Sequence, residues 1–100
     1  MLQIRATPEG GALRVNLVGE IDMSVADQLT YVLAIELPPY KHLVVDFADV
    51  SFCDSAGISA MIRLRNGLAG DRTMSLINTS ENVQRVFELS GLVDFLDMHN

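Results

Sequence analysis

The sequence predicts an α/β fold, a mixed central β-sheet of four to five strands with helices packed on it, in the order β-β-α-β-α-β-α-(β). Two observations predict this class. Segments of helical periodicity alternate with short, nearly continuous apolar runs, and such runs are typical of strands buried on both faces of a sheet. Helices between strands also supply the crossovers that parallel strands require.

The N-terminal elements are predicted to be a hairpin and a capped helix. Two apolar runs flank a Pro-Glu-Gly-Gly turn at residues 8–11, a pattern typical of two antiparallel strands. Ser24, with Asp27 three residues later, resembles a capping box with Asp in place of Glu, so we expect the first helix to begin there. Pro38 and Pro39 end it. Its buried face is predicted from apolar residues at helical spacing: Val25, Leu29, Val32 and Leu33.

The later elements follow from the same rules. Residues 42–47 form an apolar run that is too short for a helix, which places them at the centre of the sheet. Residues 58–68 return to helical spacing and lead to Asn66-Gly67 or Gly70 as the helix end. Residues 73–77 predict another strand, and residues 92–98 a last short strand or a closing turn. The third helix is predicted from two cap candidates, a buried stripe and a stop: Thr79 and Ser80, then Val83, Val86 and Phe87, then Ser90-Gly91.

Length and composition favour a single domain over residues 1–100. A chain of 100 residues is near the commonest domain size, and it can bury roughly two thirds of its unfolded surface. Hydrophobic residues make up 49% and charged residues 20% of the chain, an ordinary globular composition. We therefore expect one core, without a linker or an internal repeat.

The charge balance bears on the kind of partner. Thirteen acidic residues against seven basic ones give a net charge of −6, and no basic cluster is larger than Arg63 with Arg65. Because nucleic acids and anionic membranes are held by clustered Lys and Arg, we expect neither as a partner. An acidic domain favours a basic or mixed-charge protein instead.

Cysteine usage and hydropathy indicate a cytoplasmic protein. Cys53 is the only cysteine, so no intramolecular disulfide can form, and no metal-ligand spacing is present. The N-terminus lacks the basic and apolar segments of a signal peptide, and no apolar stretch is long enough to span a membrane. The sequence also lacks a glycine-rich phosphate loop, and we expect no cofactor.

Small and polar residues concentrate at residues 51–58, between the central strand and the middle helix. Loops at the carboxyl ends of parallel strands are where open α/β sheets place their sites. A capping box beginning at Ser55 would need an acid or amide where Ile58 stands, so the Ser55 hydroxyl lacks a reciprocal partner. Gly57 costs a helix about 0.5–1 kcal/mol relative to Ala, which indicates a close approach by another backbone or a ligand.

Ordinary structural roles explain the same segment equally simply. Either Asp54 or Ser55 is a suitable cap for the middle helix. Phe52 and Cys53 are expected in the core, since free cysteine usually behaves as a small buried hydrophobe.

Carboxylates and a serine nucleophile are the other chemical candidates. Asp22 and Asp46 are carboxylates that we expect near Asp54, and paired carboxylates perform acid–base chemistry or bind Mg²⁺. Asp22 also fits the position before a capped helix. The two histidines lack the spacing of a triad, and no base is evident for Ser55. A small hydrolase with Ser55 as nucleophile is the alternative from the enzyme class.

Three segments carry a resemblance to a known family. Residues 50–58 resemble the STAS domain of bacterial anti-sigma factor antagonists, whose signature is an Asp-Ser-x-Gly-aliphatic string after a buried strand. Residues 17–22 resemble the family's Gly-Glu-Leu-Asp turn, and residues 83–92 its third helix ending in Ser-Gly-Leu. The segments occur in order and at matching distances, so the resemblance covers nearly the whole chain and implies the STAS fold.

The resemblance implies partner switching rather than enzyme activity. In that family the unphosphorylated antagonist binds an anti-sigma factor, a serine kinase of histidine-kinase-like fold, and thereby releases the sigma factor. The kinase phosphorylates the Ser after the Asp, which implies Ser55 here, and a phosphatase of the PP2C type reverses the reaction. By the same resemblance we expect Asp22, Asp54, Ala56 and Gly57 beside Ser55 in the partner-binding surface.

The physical effect of a phosphate on Ser55 is consistent with a switch. It would add about −1.5 to −2 charges at a helix N-terminus, where an anion is favoured, so the fold should tolerate it. A docked partner would have to desolvate that charge beside Asp54, and roughly 3 kcal/mol weakens binding about a hundredfold. The alternative is a STAS scaffold or a lipid-transport-complex subunit that acts by protein–protein binding alone.

Overall fold

The structure, a computed structural model, describes residues 2–22, 24–68, 70–92 and 96–99. These residues form four strands and three helices, and the predicted α/β class and order are confirmed. In chain order the elements are β1 (Gln3–Glu9), β2 (Ala12–Ile21), α1 (Val25–Glu36), β3 (His42–Cys53), α2 (Ser55–Asn66), β4 (Thr73–Ile77) and α3 (Glu81–Leu89).

The four strands form one mixed sheet in the order β1-β2-β3-β4. β1 and β2 are an antiparallel hairpin whose two-residue turn is Gly10-Gly11, with φ of +58° and +85°. Tight hairpin turns need positive φ at both positions, and glycine adopts it without steric cost. β2, β3 and β4 pair in parallel. The carboxyl ends of the two central strands therefore meet at one edge of the sheet.

The hydrophobic core lies between one face of the sheet and the helices. Leu13 and Val15 of β2 pair with Leu43 and Val45 of β3, and all four are at most 1% exposed. Right-handed crossovers between strands laid down in sequence place successive helices on the same face. The helices contribute these buried residues to the same cluster: Val25, Ala26, Leu29, Leu33, Ile58, Ala60, Met61, Leu64, Val83 and Phe87.

Asp46 is a buried carboxylate in the middle of β3, only 1% exposed. Its Oδ1 accepts hydrogen bonds from Ala48 N at 2.8 Å and Asn78 Nδ2 at 3.1 Å, and the Arg14 guanidinium donates to Oδ2. Burial raises the pKa of Asp46, but these hydrogen bonds and the nearby guanidinium outweigh burial, so the pKa is lowered. The carboxylate is thus held ionised within the fold.

The expectation that Asp46 lies near Asp54 is wrong. Both belong to one extended segment, and eight residues at ~3.3 Å each separate them by roughly 25 Å. Asp46 therefore has a structural role within the sheet, away from the carboxyl edge.

β3 is longer than predicted, because it continues from Phe47 to Cys53. The end of β2 supplies its partner, with Glu20 opposite Phe52 and Ile21 opposite Cys53. Apolar periodicity does not reveal this extension, since most of its side chains are exposed or only half-buried. The ladder between the two strands stabilises it.

The capping box predicted at Ser24 is also wrong. Ser24 has helical φ and ψ of −74° and −15°, and its side chain makes no capping hydrogen bond. Asp27 instead forms an ion pair with Arg63 of α2, at 3.2 Å. The cap predicted at Ser80 is confirmed: its backbone is extended, with φ −67° and ψ 163°, and its hydroxyl accepts from Val83 N at 3.2 Å.

The C-terminal segment reaches the outer edge of β4. Leu76 and Met98 form an isolated parallel bridge, with Leu76 N donating to Asp97 O at 3.1 Å and His99 N donating to Leu76 O at 2.8 Å. The predicted last strand is therefore a single bridge here, and residues 93–95 lie outside the described part. Across the described ranges, no helix has the length and apolar character that a membrane crossing requires.

Candidate functional site

The predicted site lies at the carboxyl edge of the two central strands. Ile21 and Cys53, the last residues of β2 and β3, are paired in register. Asp22 and Asp54 follow them directly, so the two carboxylates leave the sheet side by side. Asp22 leads into α1 and Asp54 into α2.

Asp54 is the N-cap of α2. Its backbone is extended, with φ −121° and ψ −159°, and its carboxylate Oδ1 accepts a hydrogen bond from Ala56 N at 2.9 Å. A carboxylate in this position satisfies a free backbone donor and interacts favourably with the positive end of the helix. Of the two cap candidates in the sequence, Asp54 is therefore the one that caps.

Ser55 is the first residue of α2, and its side chain is exposed. Its hydroxyl has no hydrogen-bond partner among the residues that the structure describes. Because Asp54 performs the capping, the hydroxyl is left available to solvent. A phosphate at this point would sit near the free N–H groups of the first helical turn, where an anion is stabilised.

Asp22 is fixed within the loop between β2 and α1. Its Oδ1 accepts from Ser24 N at 2.9 Å and from Ser24 Oγ at 2.6 Å. These two hydrogen bonds, the side-chain one first, lower the pKa of the Asp22 carboxyl. Asp22 thus carries a negative charge at the carboxyl edge and takes over the N-terminal interactions that the sequence assigned to Ser24.

Gly57 allows α2 to approach the strand ends closely. A Cβ built on it would overlap Cys53 Sγ and come within 3.1 Å of Ile21 Cγ2. The expected close approach is thus made by two side chains, where the sequence had indicated a backbone or a ligand. Gly57 is buried and Ala56 half-buried, so the exposed members of the predicted site are Asp22, Asp54 and Ser55.

Cys53 has a packing role at the base of the site. It is half-buried against the core, as predicted. Burial first, and the nearby Asp54 charge second, raise the pKa of the thiol to about 11. Since the thiolate is the nucleophilic form, Cys53 is unreactive at neutral pH.

Phe52 corrects a sequence-based prediction, because its side chain is 54% exposed and does not lie in the core. It stands on the extension of β3, beyond the part of the strand that the core covers. Its neighbours Ser51 and Asp54 are polar, and this is the signal in the sequence that could have indicated an exposed position. A groove of about 210 Å³ adjoins it, between the end of β3 and the start of α3.

The surroundings of the site are acidic. Glu20, Asp49 and Glu81 are exposed on the neighbouring strand ends and at the start of α3. No Lys or Arg occurs between Arg14 and Lys41, nor between Lys41 and Arg63. A surface of this kind attracts a partner with complementary positive charge.

The described residues offer no base to Ser55. His42 is the first residue of β3, at the opposite edge of the sheet, where its ring contacts the Thr73 hydroxyl. His99 pairs with Asp97 at 2.9 Å. In the same part of the chain, no group of three His, Cys, Asp or Glu side chains is arranged to hold a metal ion. The geometry therefore does not favour the hydrolase alternative.

Sequence comparisons relate this chain to one family. A family model described as Mlab, STAS domain, matches residues 4–97. The anti-sigma-B factor antagonist of Staphylococcus aureus (strain NCTC 8325 / PS 47) is 25% identical over 100 residues, covering 98% of this chain and 93% of the relative.

Solved structures share the fold. An anti-sigma factor antagonist from Mycobacterium paratuberculosis superposes with a TM-score of 0.84 at 22% identity, over 99% of this chain and 86% of that one. The Bacillus cell fate determinant SpoIIAA in its phosphorylated form gives a TM-score of 0.60 at 23% identity, over 100% of this chain and 91% of that one. At these identities the likeness concerns the fold alone.

Proposed function

The chain belongs to the STAS domain family, and from that premise we propose that it acts as an anti-sigma factor antagonist. The observation that carries the proposal is the exposed Ser55 hydroxyl, left without a partner at the start of α2 while Asp54 caps the helix. The similarity to a staphylococcal protein named anti-sigma-B factor antagonist supports it.

The proposed mechanism is partner switching in the cytoplasm. The unphosphorylated protein binds an anti-sigma factor with a histidine-kinase-like fold, and the sigma factor held by that kinase is released. The kinase then transfers phosphate from ATP to the Ser55 hydroxyl, and binding is lost. A PP2C-type phosphatase removes the phosphate and restores binding. The chain itself serves as substrate and ligand and catalyses no reaction.

The proposed contact surface combines the acidic strand ends with an apolar element. Asp22, Asp54 and Ser55 form its exposed polar part, and Ala56 is half-buried beside them. Gly57 contributes from below by letting α2 pack against Cys53. We add Phe52 to this surface, because a large exposed aromatic side chain beside a groove is typical of the anchors that contribute most to binding.

The switch rests on where the phosphate charge falls. Inside the free protein the start of α2 stabilises an anion, so the fold keeps its stability. In the complex the same charge would be desolvated beside Asp54, which is costly unless the partner supplies a matching cation. The phosphate therefore weakens association while the antagonist stays folded.

Isothermal titration of the purified antagonist into kinase-like anti-sigma factors of the same organism tests this proposal. We expect tight binding of the unphosphorylated form and affinity about a hundredfold lower after phosphorylation. Equal affinities of the two forms would contradict the switch.

The Phe52 contribution is tested by a matched pair of variants. Phe52→Ser is expected to weaken binding about tenfold or more, as loss of an interface anchor does. Leu89→Ser removes a side chain that is 84% exposed near the end of α3 and should leave affinity unchanged. Equal effects of the two variants would remove Phe52 from the contact surface.

A second candidate is a subunit of a larger assembly, either a signalling scaffold or a lipid-transport complex. The observation that favours it is the Mlab description carried by the matching family model. Ser55→Ala discriminates between the two functions. It should abolish regulation if the chain is an antagonist, whereas a scaffold or transport subunit would assemble as before.

A further inference from the structure

A second concave site lies at the far end of the helices from Ser55. It is a groove of about 200 Å³ between the C-terminal halves of α1 and α2. Leu33, Leu37 and Leu64, each 6% exposed, form its apolar lining together with Leu68. Along α2 the groove begins about nine residues after Ser55, roughly 14 Å at 1.5 Å per residue. It is therefore separate from the proposed partner surface.

A fixed positive charge stands at the rim of this groove. Arg72 donates from Nε to Tyr40 O at 3.0 Å and from Nη2 to Pro38 O at 2.9 Å. Both acceptors are neutral backbone carbonyls, and within the described ranges no carboxylate forms an ion pair with Arg72. The guanidinium is thus held in place while its charge is not neutralised, in a chain of net charge −6.

A second guanidinium lines the same groove. Arg63 forms an ion pair with Asp27 at 3.2 Å, and the two side chains are 60% and 78% exposed. Exposed pairs of this kind contribute little and exchange readily for another anion. Two of the seven basic residues therefore meet beside an apolar groove.

We propose that this groove binds an anionic amphiphile, a medium-length acyl chain with a carboxylate head group. An apolar cavity of about 150 Å³ is already large enough for benzene, so about 200 Å³ accommodates part of an acyl chain. The carboxylate would accept charge-assisted hydrogen bonds from Arg72, whose orientation is set in advance by its two carbonyl partners. Nothing in this proposal depends on Ser55 or on its phosphorylation.

Titration of the ¹⁵N-labelled protein with octanoate, followed by NMR, tests the site. We expect saturable shifts of backbone amides near residues 33–37 and 63–68, below the octanoate concentration at which micelles form. Uncharged 1-octanol should bind about tenfold more weakly, since it lacks the charge-assisted contact. Absence of saturable shifts, or shifts centred elsewhere, would overturn the proposal. Tighter binding of octyl phosphate than of octanoate would overturn the carboxylate head group.

Three variants assign the two parts of the site. Ala34→Phe adds bulk at an exposed position lining the groove and should reduce octanoate affinity about tenfold. Arg72→Gln should weaken octanoate and leave 1-octanol unchanged. Arg85→Gln makes the same charge change at an exposed position on α3 and serves as the control. Thermal unfolding verifies that each variant is folded. Unchanged octanoate affinity in Ala34→Phe would contradict the groove as the binding site.

Discussion

Gly57 is the residue on which the geometry of the candidate site depends most directly. Its missing side chain is replaced by Cys53 Sγ and Ile21 Cγ2, which occupy the space that a Cβ would fill. The N-terminus of α2 can therefore lie directly on the ends of the two central strands. This contact fixes the position of Ser55 relative to Asp22.

Gly57→Ala is expected to lower the free energy of unfolding by about 1–3 kcal/mol, because the added methyl group overpacks this contact. Urea unfolding measures the loss. Cys53→Ala removes the sulfur that a Cβ would overlap, so the double variant should recover part of the stability. Additive losses in the two single variants would contradict a direct contact.

Ser55→Ala should leave the free energy of unfolding within about 0.5 kcal/mol of wild type, as for a surface residue without a structural contact. Asp54→Ala should cost about 1 kcal/mol, because it removes the N-cap of α2. Urea unfolding of both variants separates the two roles. A larger loss for Ser55→Ala than for Asp54→Ala would show that the serine does the capping.

The residues of the site differ in how far the sequence predicted them. A close approach at Gly57 was predictable, since glycine is disfavoured in a helix without such a reason. The exposure of Phe52 was not, because a large apolar residue beside a buried strand is ordinarily a core residue. Its exposure follows from the length of β3 beyond the core.

At the scale of elements, the helix starts show why local patterns are insufficient. Ser24 and Ser80 both precede a helix, yet Ser80 alone has the extended backbone that lets a hydroxyl reach the N–H groups of the first turn. Asp22 supplies the corresponding carboxylate before α1. Residue type at a capping position does not determine φ and ψ.

Ser80→Ala is expected to reduce the free energy of unfolding by about 1 kcal/mol, the usual cost of losing an N-cap. Ser24→Ala should cost less than half as much, because its hydroxyl makes only exposed side-chain hydrogen bonds. Urea unfolding of the two variants under one condition gives the comparison. Equal losses would show that Ser24 contributes to capping after all.

The order of elements was predictable because hydrophobic periodicity reflects burial along most of the chain. The C-terminal half of β3 was missed since its side chains are mostly exposed and its pairing with β2 is made by the backbone. Pairing between backbones at long sequence separation leaves little trace in local sequence.

At the scale of the whole molecule, α2 links two separate surfaces. Its first residue carries the candidate phosphoacceptor at the carboxyl edge of the sheet, and its last turns line the leucine-rich groove. The first surface is acidic and the second has two guanidinium groups. The molecule therefore presents surfaces of opposite charge at the two ends of one helix.

Asp46 is expected to make stability depend on pH in the acid range. Its folded pKa lies below its unfolded value, near 3.9. The unfolded chain therefore takes up a proton first as the pH falls. The stabilisation is present above the unfolded pKa and is lost as the pH falls through the folded one.

Asp46→Asn should therefore give a shallower fall in unfolding free energy between about pH 5 and pH 2. Urea unfolding at several pH values measures this slope. Asp71→Asn also removes one carboxylate, from an exposed pair with Lys41, and serves as the matched control. A slope for Asp46→Asn as steep as that of wild type would show that Asp46 does not contribute.

The measurement that tests the central claim most directly is the location of phosphate after reaction. The protein is incubated with ATP, Mg²⁺ and kinase-like anti-sigma factors from the same organism, with Ser55→Ala as control, and the product is mapped by mass spectrometry. We expect phosphate on Ser55 alone and none on the Ser55→Ala variant. Phosphate on another residue, or stable binding to the kinase without phosphate transfer, would contradict the proposed switch.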